Sequence, residues 1–287
     1  MNPFHHILFP VDFSDRCRSV RPLVRSLAEK CSAKLTLLHV VHIPAAYYGG
    51  FEAGYPSFID VPALQATAQD ELAGFFETPG FAFNSVVMQG DPAFEITRFA
   101  EANAVDLIML PTHGYGKFRS LLLGSVAAKV LHDAHCAVWT AAHTEDPHLP
   151  AHLNLKSMMC AVDLSPESPA VIRRAVDVSA SFGARLRLVH AVEHAELHPH
   201  LRFDDGFRAA LLRAAREAIV KMQAELGTNL EVCMEGGPAA EVIRNASLHH
   251  EADLVMIGRG AIAHSFGRIR SGAYDIIRES PCPVLSV

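Results

Sequence analysis

No apolar run in the 287 residues approaches the length of about 20 that crosses a bilayer, so no membrane partner is expected. There is no strongly basic stretch either, and the formal net charge is −6. That argues against nucleic acid as the main partner. The six cysteines (Cys17, Cys31, Cys136, Cys160, Cys233, Cys282) form no CxxC. They read as buried thiols in a reducing compartment rather than as ligands or nucleophiles, since four sit at core spacing and none has a paired neighbour. The opening Met1-Asn2-Pro3-Phe4-His5-His6 lacks a basic region and a long apolar run, so no signal peptide is expected and the chain is placed in the cytoplasm. No nucleophile stands with a base, and neither paired carboxylates nor a metal triad can be found. Gly116-Lys117-Phe118 lacks the Ser/Thr and the upstream Gly of a P-loop. Gly258-Arg259-Gly260-Ala261-Ile262-Ala263 matches G-x-G-x-x-A, but it follows a fourth strand rather than a first, against a dinucleotide fold.

What is present centres on Pro111-Thr112-His113-Gly114, then nine residues, then Gly124-Ser125. The apolar run Val105 to Leu110 before it reads as a buried parallel strand, and Val126, Val130 and Leu131 after it have helical spacing. The stretch is therefore strand, glycine-bearing loop, helix N-terminus. The first amides of a helix have no internal partner, and with the helix dipole they make a seat for phosphate. Gly124 has no Cβ to hold an anion away, and Ser125 adds a hydroxyl.

Elsewhere the chain alternates strand and helix. Ile7 to Ser14 reads as a strand ending in an acid and a cap, followed by one helix with an apolar face from Cys17 to Cys31. Ala33 to Val41 is a second strand; Ile43 to Pro62, with Tyr47, Tyr48, Phe51, Tyr55 and Phe58, is a loop or lid. A helix over Leu64 to Glu77, a strand near Phe83 to Val87, a turn at Gly90-Asp91-Pro92, a helix to Asn103 and a last strand from Cys136 to Ala141 complete the half. The second half repeats it. Asp163 and Ser165 stand 151 residues after Asp12 and Ser14, and Ala184 stands 151 after Ala33. Gly236-Gly237-Pro238, Asp253 to Ile257 and Cys282 to Leu285 match further blocks in order. The polar, proline-bearing Thr144 to Pro150 reads as a linker. The expected organisation is residues 1–143, a linker at 144–152, and residues 153–287. Each half should be a doubly wound α/β domain with a five-stranded parallel sheet flanked by helices. Its ligand should sit beyond the strand ends where strand order reverses, with Asp12 and Gly114 meeting there.

These motifs resemble the universal stress protein family in its tandem form. The family signature G-x2-G-x9-G-[ST] is similar to Pro111-x2-Gly114-x9-Gly124-Ser125, and the opening Pro-x-Asp-x-Ser appears as Pro10-Val11-Asp12-Phe13-Ser14. His39-Val40 and Cys282-Pro283-Val284-Leu285 add to the resemblance, which spans both halves. It implies the adenine-nucleotide alpha-hydrolase-like fold and a stress-response protein that binds ATP, with AMP or ADP as alternatives and Mg²⁺ accompanying ATP. It implies that Asp12 contacts the ribose, a carboxylate being an acceptor for sugar hydroxyls. Pro10, Val11 and Val40 would lie by the adenine, and Gly114, Gly124, Ser125 and Val126 by the phosphates. It also implies pairing through the C-terminal strands, here between the two halves, with a homodimer as a further assembly.

The chain departs from the signature at defined places. Pro111 replaces the first glycine and has no N–H to offer. In the second half Gly258 keeps that glycine, but Gly258-Arg259-Gly260 is one residue short of the spacing, and nine residues after Gly260 stand Arg270-Ser271. Arg270 should obstruct a phosphate, so the first half is expected to be the better site and the second, with Asp163, Gly258, Gly260 and Ser271, a degenerate one. Arg259, Arg268 and Arg270 remain candidates for some other anion. His113, Lys117 and Arg119 are candidate phosphate contacts, set against a solvated loop. His194, His198 and His200 have zinc-ligand chemistry but lie in an apparent loop, Glu193 to Gly206, where solvated histidines are the default. A regulatory binding protein is the leading reading. A slow Mg²⁺-dependent ATPase, with a water activated by Asp12 or His113, and a structural partner protein with vestigial sites are the alternatives.

Overall fold

The computed structural model describes residues 2–43, 60–76, 80–111, 123–141, 153–193, 205–259 and 271–287. The first half runs β1 (His6–Pro10), α1 (Asp15–Ser19), α2 (Arg21–Cys31), β2 (Lys34–Val41), α3 (Val61–Ala73), β3 (Asn84–Gln89), α4 (Pro92–Ala102), β4 (Leu107–Leu110), α5 (Ser125–Asp133) and β5 (Ala137–Thr140). The second runs β6 (Ser157–Ala161), α6 (Ser168–Phe182), β7 (Arg185–Val192), α7 (Asp205–Leu226), β8 (Glu231–Gly236), α8 (Ala239–His249), β9 (Leu254–Ile257), α9 (Ser271–Glu279) and β10 (Val284–Ser286).

The repeat is geometric as well as sequential. β6 and β7 begin and end 151 residues after β1 and β2 (6 to 157, 34 to 185). α8 follows α4 by 147 (92 to 239), and α9 follows α5 by 146 (125 to 271). The lost residue falls in the loop before α5 and α9, where the second half was one short of the signature spacing.

Two boundaries differ from expectation. The helix expected from Cys17 to Cys31 is two helices, α1 and α2, meeting at Val20. Pro22 causes this: proline has no N–H to continue the first helix, yet suits the first turn of a new one. The helix expected over Leu64 to Glu77 starts earlier, at Val61, because Asp60 accepts from the Ala63 N–H at 3.0 Å. The expected linker lies outside the described residues, as does nearly all of the aromatic stretch, residues 44–59.

Within each half every strand pair is parallel, in the order 3-2-1-4-5. The second half mirrors it, and β5 pairs antiparallel with β10, with Trp139 opposite Leu285. The two halves therefore form one ten-stranded sheet whose ends are β3 and β8. Side chains alternate across it: Ile7 and Phe9 enter one core, Leu8 the other. Both cores cross the seam. One joins Leu27 to Ile172, the other Val130 to Ile277. Each such side chain contributes about 1.5–3 kcal/mol on burial. Polar bonds cross too. Arg174 donates to the Pro3 carbonyl at 2.6 Å, and the Tyr274 hydroxyl donates to the Ala128 carbonyl at 2.8 Å.

Candidate functional site: two clefts at the strand-order reversals

The strand order of each half reverses between its first and fourth strands, and a cleft opens at each reversal. The first, of about 260 Å³, is walled by the ends of β1, β2 and β4 and by the N-terminus of α5. Eight of the expected residues line it: Pro10, Val11, Asp12, Val40, Pro111, Gly124, Ser125 and Val126. His113 and Gly114 lie outside the described residues, as do Lys117 and Arg119.

The acid is placed by local chemistry. Its Oδ1 accepts from the Ser14 N–H at 3.0 Å and the Ser14 hydroxyl at 2.6 Å, while Ser14 Oγ accepts from the Cys17 N–H and caps α1. Asp12 is exposed. The turn is made by Phe13, at a left-handed φ of 59°. Such a conformation costs a non-glycine residue about 1–2 kcal/mol. Leu164, its counterpart, has φ 60°. Both halves keep the same strained step directly after the acid, which turns the carboxylate to the cleft. A histidine pins the strand end below it. His39 Nδ1 lies 2.8 Å from the Val11 carbonyl, and His190 Nδ1 lies 2.7 Å from that of Val162. In each, Nδ1–H is the donor, because a carbonyl oxygen can only accept.

Opposite the acid stands the anion side. Gly124 is the N-cap of α5 and supplies no side-chain cap. The amides of Ser125, Val126 and Ala127 precede the first closed bond, Ala128 N–H to the Gly124 carbonyl at 2.8 Å. Helices α1, α3 and α4 differ: Ser14, Asp60 and Asp91 fill that place with an oxygen. Gly124 has an ordinary φ of −58°, so it is its bareness, not its backbone freedom, that matters here. Lys129 ties α5 to α4 through Asp91 at 3.2 Å.

The second cleft is the larger, about 600 Å³, and Asp163, Gly258, Arg259, Gly272 and Ala273 are among its walls. Asp163 Oδ1 accepts from the Ser165 N–H at 3.0 Å and the Ser168 hydroxyl at 2.9 Å. Burial alone would raise its carboxyl, but the bonds from Ser165 and Ser168 outweigh it and hold the group below the ordinary carboxylate value. Ser271 opens α9, whereas Gly260, Arg268 and Arg270 lie outside the described residues, as do His194, His198 and His200. The loop expected to Gly206 gives way to α7 at Asp205.

Arg259 is corrected from anion candidate to structural tie. Its guanidinium donates to the carbonyls of Ala134 and Cys136 in the first half, at the C-terminus of α5. Burial lowers its pKa, and the helix dipole favours a cation at that end. No local signal in the sequence marks this use; it depends on the seam.

The cysteines need one correction as well. Cys17, Cys31, Cys160 and Cys282 are buried, as expected. Cys233, read as having no paired neighbour, lies 3.1 Å from Nε2 of His250. The two are 17 residues apart in the chain, and the turn after α8 brings them together.

The model of the universal stress protein family matches residues 3–141 and 154–287. A universal stress protein of Methanocaldococcus jannaschii is 29% identical over 140 residues, 48% of this chain and 81% of that protein. Universal stress protein A homolog 1 of Coxiella burnetii is 30% identical over 142 residues, 47% of this chain and 96% of the homolog. Each relative thus spans about one half of this chain. The crystal structure of a universal stress protein from Archaeoglobus fulgidus is similar in fold over both halves, with a TM-score of 0.67, 23% identity, and coverage of 98% of this chain and 95% of that one.

Proposed function

The chain belongs to the universal stress protein family, and from that premise we propose that it is a regulatory protein that binds an adenine nucleotide in its first-half cleft. The observation that carries this reading is the facing pair of an exposed carboxylate, Asp12, and an uncapped helix N-terminus at Gly124-Ser125. The carboxylate accepts from ribose hydroxyls, and the amides of Ser125, Val126 and Ala127 hold phosphate. Pro10, Val11 and Val40 would form the wall for the base, and the proposed seat takes in His113 and Gly114, which lie outside the described residues. Among the described residues no three His, Cys, Asp or Glu side chains converge as metal ligands. Mg²⁺ would accompany ATP on its phosphate oxygens and water. The second cleft is the weaker nucleotide site. The division at 1–143, 144–152 and 153–287 and a cytoplasmic location go with this reading. Any homodimer would use a surface other than β5 and β10, which cover each other.

Equilibrium dialysis against ATP, ADP, AMP and cAMP tests it. At least one should bind, and Asp12→Ala should weaken it about tenfold, the worth of one hydrogen-bonded charge. Equal affinity of the variant and the wild type would remove Asp12 from the site.

A further inference from the structure

Away from both clefts, at the end of the sheet formed by β8, the second half carries a chemistry that the first lacks. Cys233 in β8 and His250, at the C-cap of α8, place Sγ and Nε2 3.1 Å apart. The matching positions, 147 residues earlier, are Val86 in β3 and Asn103 at the C-cap of α4. An apolar side chain and an amide cannot exchange a proton; a thiol and an imidazole can. Packing of the fold therefore does not require the pair.

Its surroundings suit proton transfer. Burial, followed by the charge of Arg187, lowers the pKa of His250, so the imidazole is neutral at neutral pH and open to a proton. Burial, with Glu231 adding to it, raises that of Cys233, so the resting pair is thiol and imidazole. The charged and titratable groups around it are Glu231 on β8, Arg187 and Arg185 on β7, and His249, whose ring meets that of His250 edge-on at 4.7 Å. Arg187 is held to Glu231 at 2.9 Å and to Ser157 at 3.3 Å. An imidazolium formed on His250 would sit at the C-terminus of α8, where the helix dipole favours a cation. Cys233 and Cys136 are half-exposed, and the other four are buried; burial pushes Cys17 and Cys160 up to about 12 and Cys31, Cys136 and Cys282 up to about 11.

We propose that Cys233 is a modification site, a thiol that His250 activates toward hydroperoxides. Nε2 takes the S–H proton as sulfur attacks the terminal oxygen of the O–O bond. The S–O bond forms, the O–O bond breaks, and the imidazolium returns the proton to the departing oxygen, which leaves as water or an alcohol. Sulfur is oxidised by two electrons to the sulfenic acid, and the peroxide is reduced.

The test treats the full chain with hydrogen peroxide, traps sulfenic acid with dimedone, and follows all six cysteines by peptide mass spectrometry. Cys233 should be trapped at least about tenfold faster than any other cysteine, and His250→Asn, which installs the residue of the first half, should slow it about tenfold or more. The wild-type rate should be nearly level between about pH 7 and 8, where the base is neutral and the thiol protonated. The variant should climb about tenfold per pH unit with its thiolate fraction. Even trapping across the cysteines, or an unchanged rate and pH profile in His250→Asn, would overturn the proposal. Alkylation of Cys233 by iodoacetamide without trapping after peroxide would overturn the assignment to hydroperoxides. Should His250→Asn lose its circular dichroism spectrum, the wild-type cysteine ranking and the level pH profile decide the matter.

Discussion

The two halves differ least where the sheet holds them and most where a ligand would touch them. Asp12 and Asp163 share an acceptor turn, a left-handed residue behind it, and a histidine pinning the strand end. These parts are built on β1, β2, β6 and β7, whose lengths agree between halves. The anion sides have diverged. After β4 stands Pro111, and α5 opens on bare Gly124. After β9 stand Gly258 and Arg259, and the latter reaches across to the first half. A duplicated sheet thus kept the acid side of both clefts, while the loop and helix side of one was turned to holding the halves together. That separation is what would make the second cleft, though larger, the poorer nucleotide seat in the proposed reading.

The comparison can be strained at three levels. Trp139→Ala removes the largest side chain buried at the seam, and large-to-small changes of this kind cost about 3–5 kcal/mol. Urea unfolding should show that loss, together with a separation of the halves into two transitions. A loss under about 1 kcal/mol would mean that the seam does not bind the halves into one body. Arg259→Met should cost less, about 1–3 kcal/mol, because it leaves the carbonyls of Ala134 and Cys136 without their donor. Thermal unfolding would register it, and an unchanged midpoint would return Arg259 to the list of anion contacts. The smallest effect belongs to Asp163→Asn. The Asp163 carboxyl is held below its ordinary value in the folded chain, so its contribution is present above the unfolded value and is lost as pH falls through the folded one. The wild type should therefore melt above the variant near neutral pH, with the gap closing in acid. A gap that stays constant down to about pH 2 would show that the carboxylate is not the source.

Much of this was legible in the residues. Buried parallel strands read as short apolar runs, so Leu107 to Leu110 stood out, and the repeat followed from aspartates and histidines at a constant offset. In the first cleft, the alternation of strand and helix placed Asp12 at the reversal of strand order, the helix N-terminus marked Gly124 and Ser125, and the family resemblance supplied Pro10, Val11, Val40 and Val126. Other features had no local signature. Phe13 and Leu164 are bulky residues in a conformation that sequence assigns to glycine or asparagine. Pro22 was visible, yet apolar spacing carried straight through it from Cys17 to Cys31. The contacts of Arg259 and Cys233 were hidden because their partners, Ala134, Cys136 and His250, are brought in by the seam and by the turn after α8, not by the chain beside them.

Isothermal titration of ATP into the wild type and into Gly124→Arg, which gives the first half the arginine that the second carries in Arg270, goes to the centre of the matter. One site per chain is expected in the wild type, and its loss, by about a hundredfold or more in affinity, in the variant. Two equal sites, no site at millimolar nucleotide, or a site that survives the substitution would contradict it.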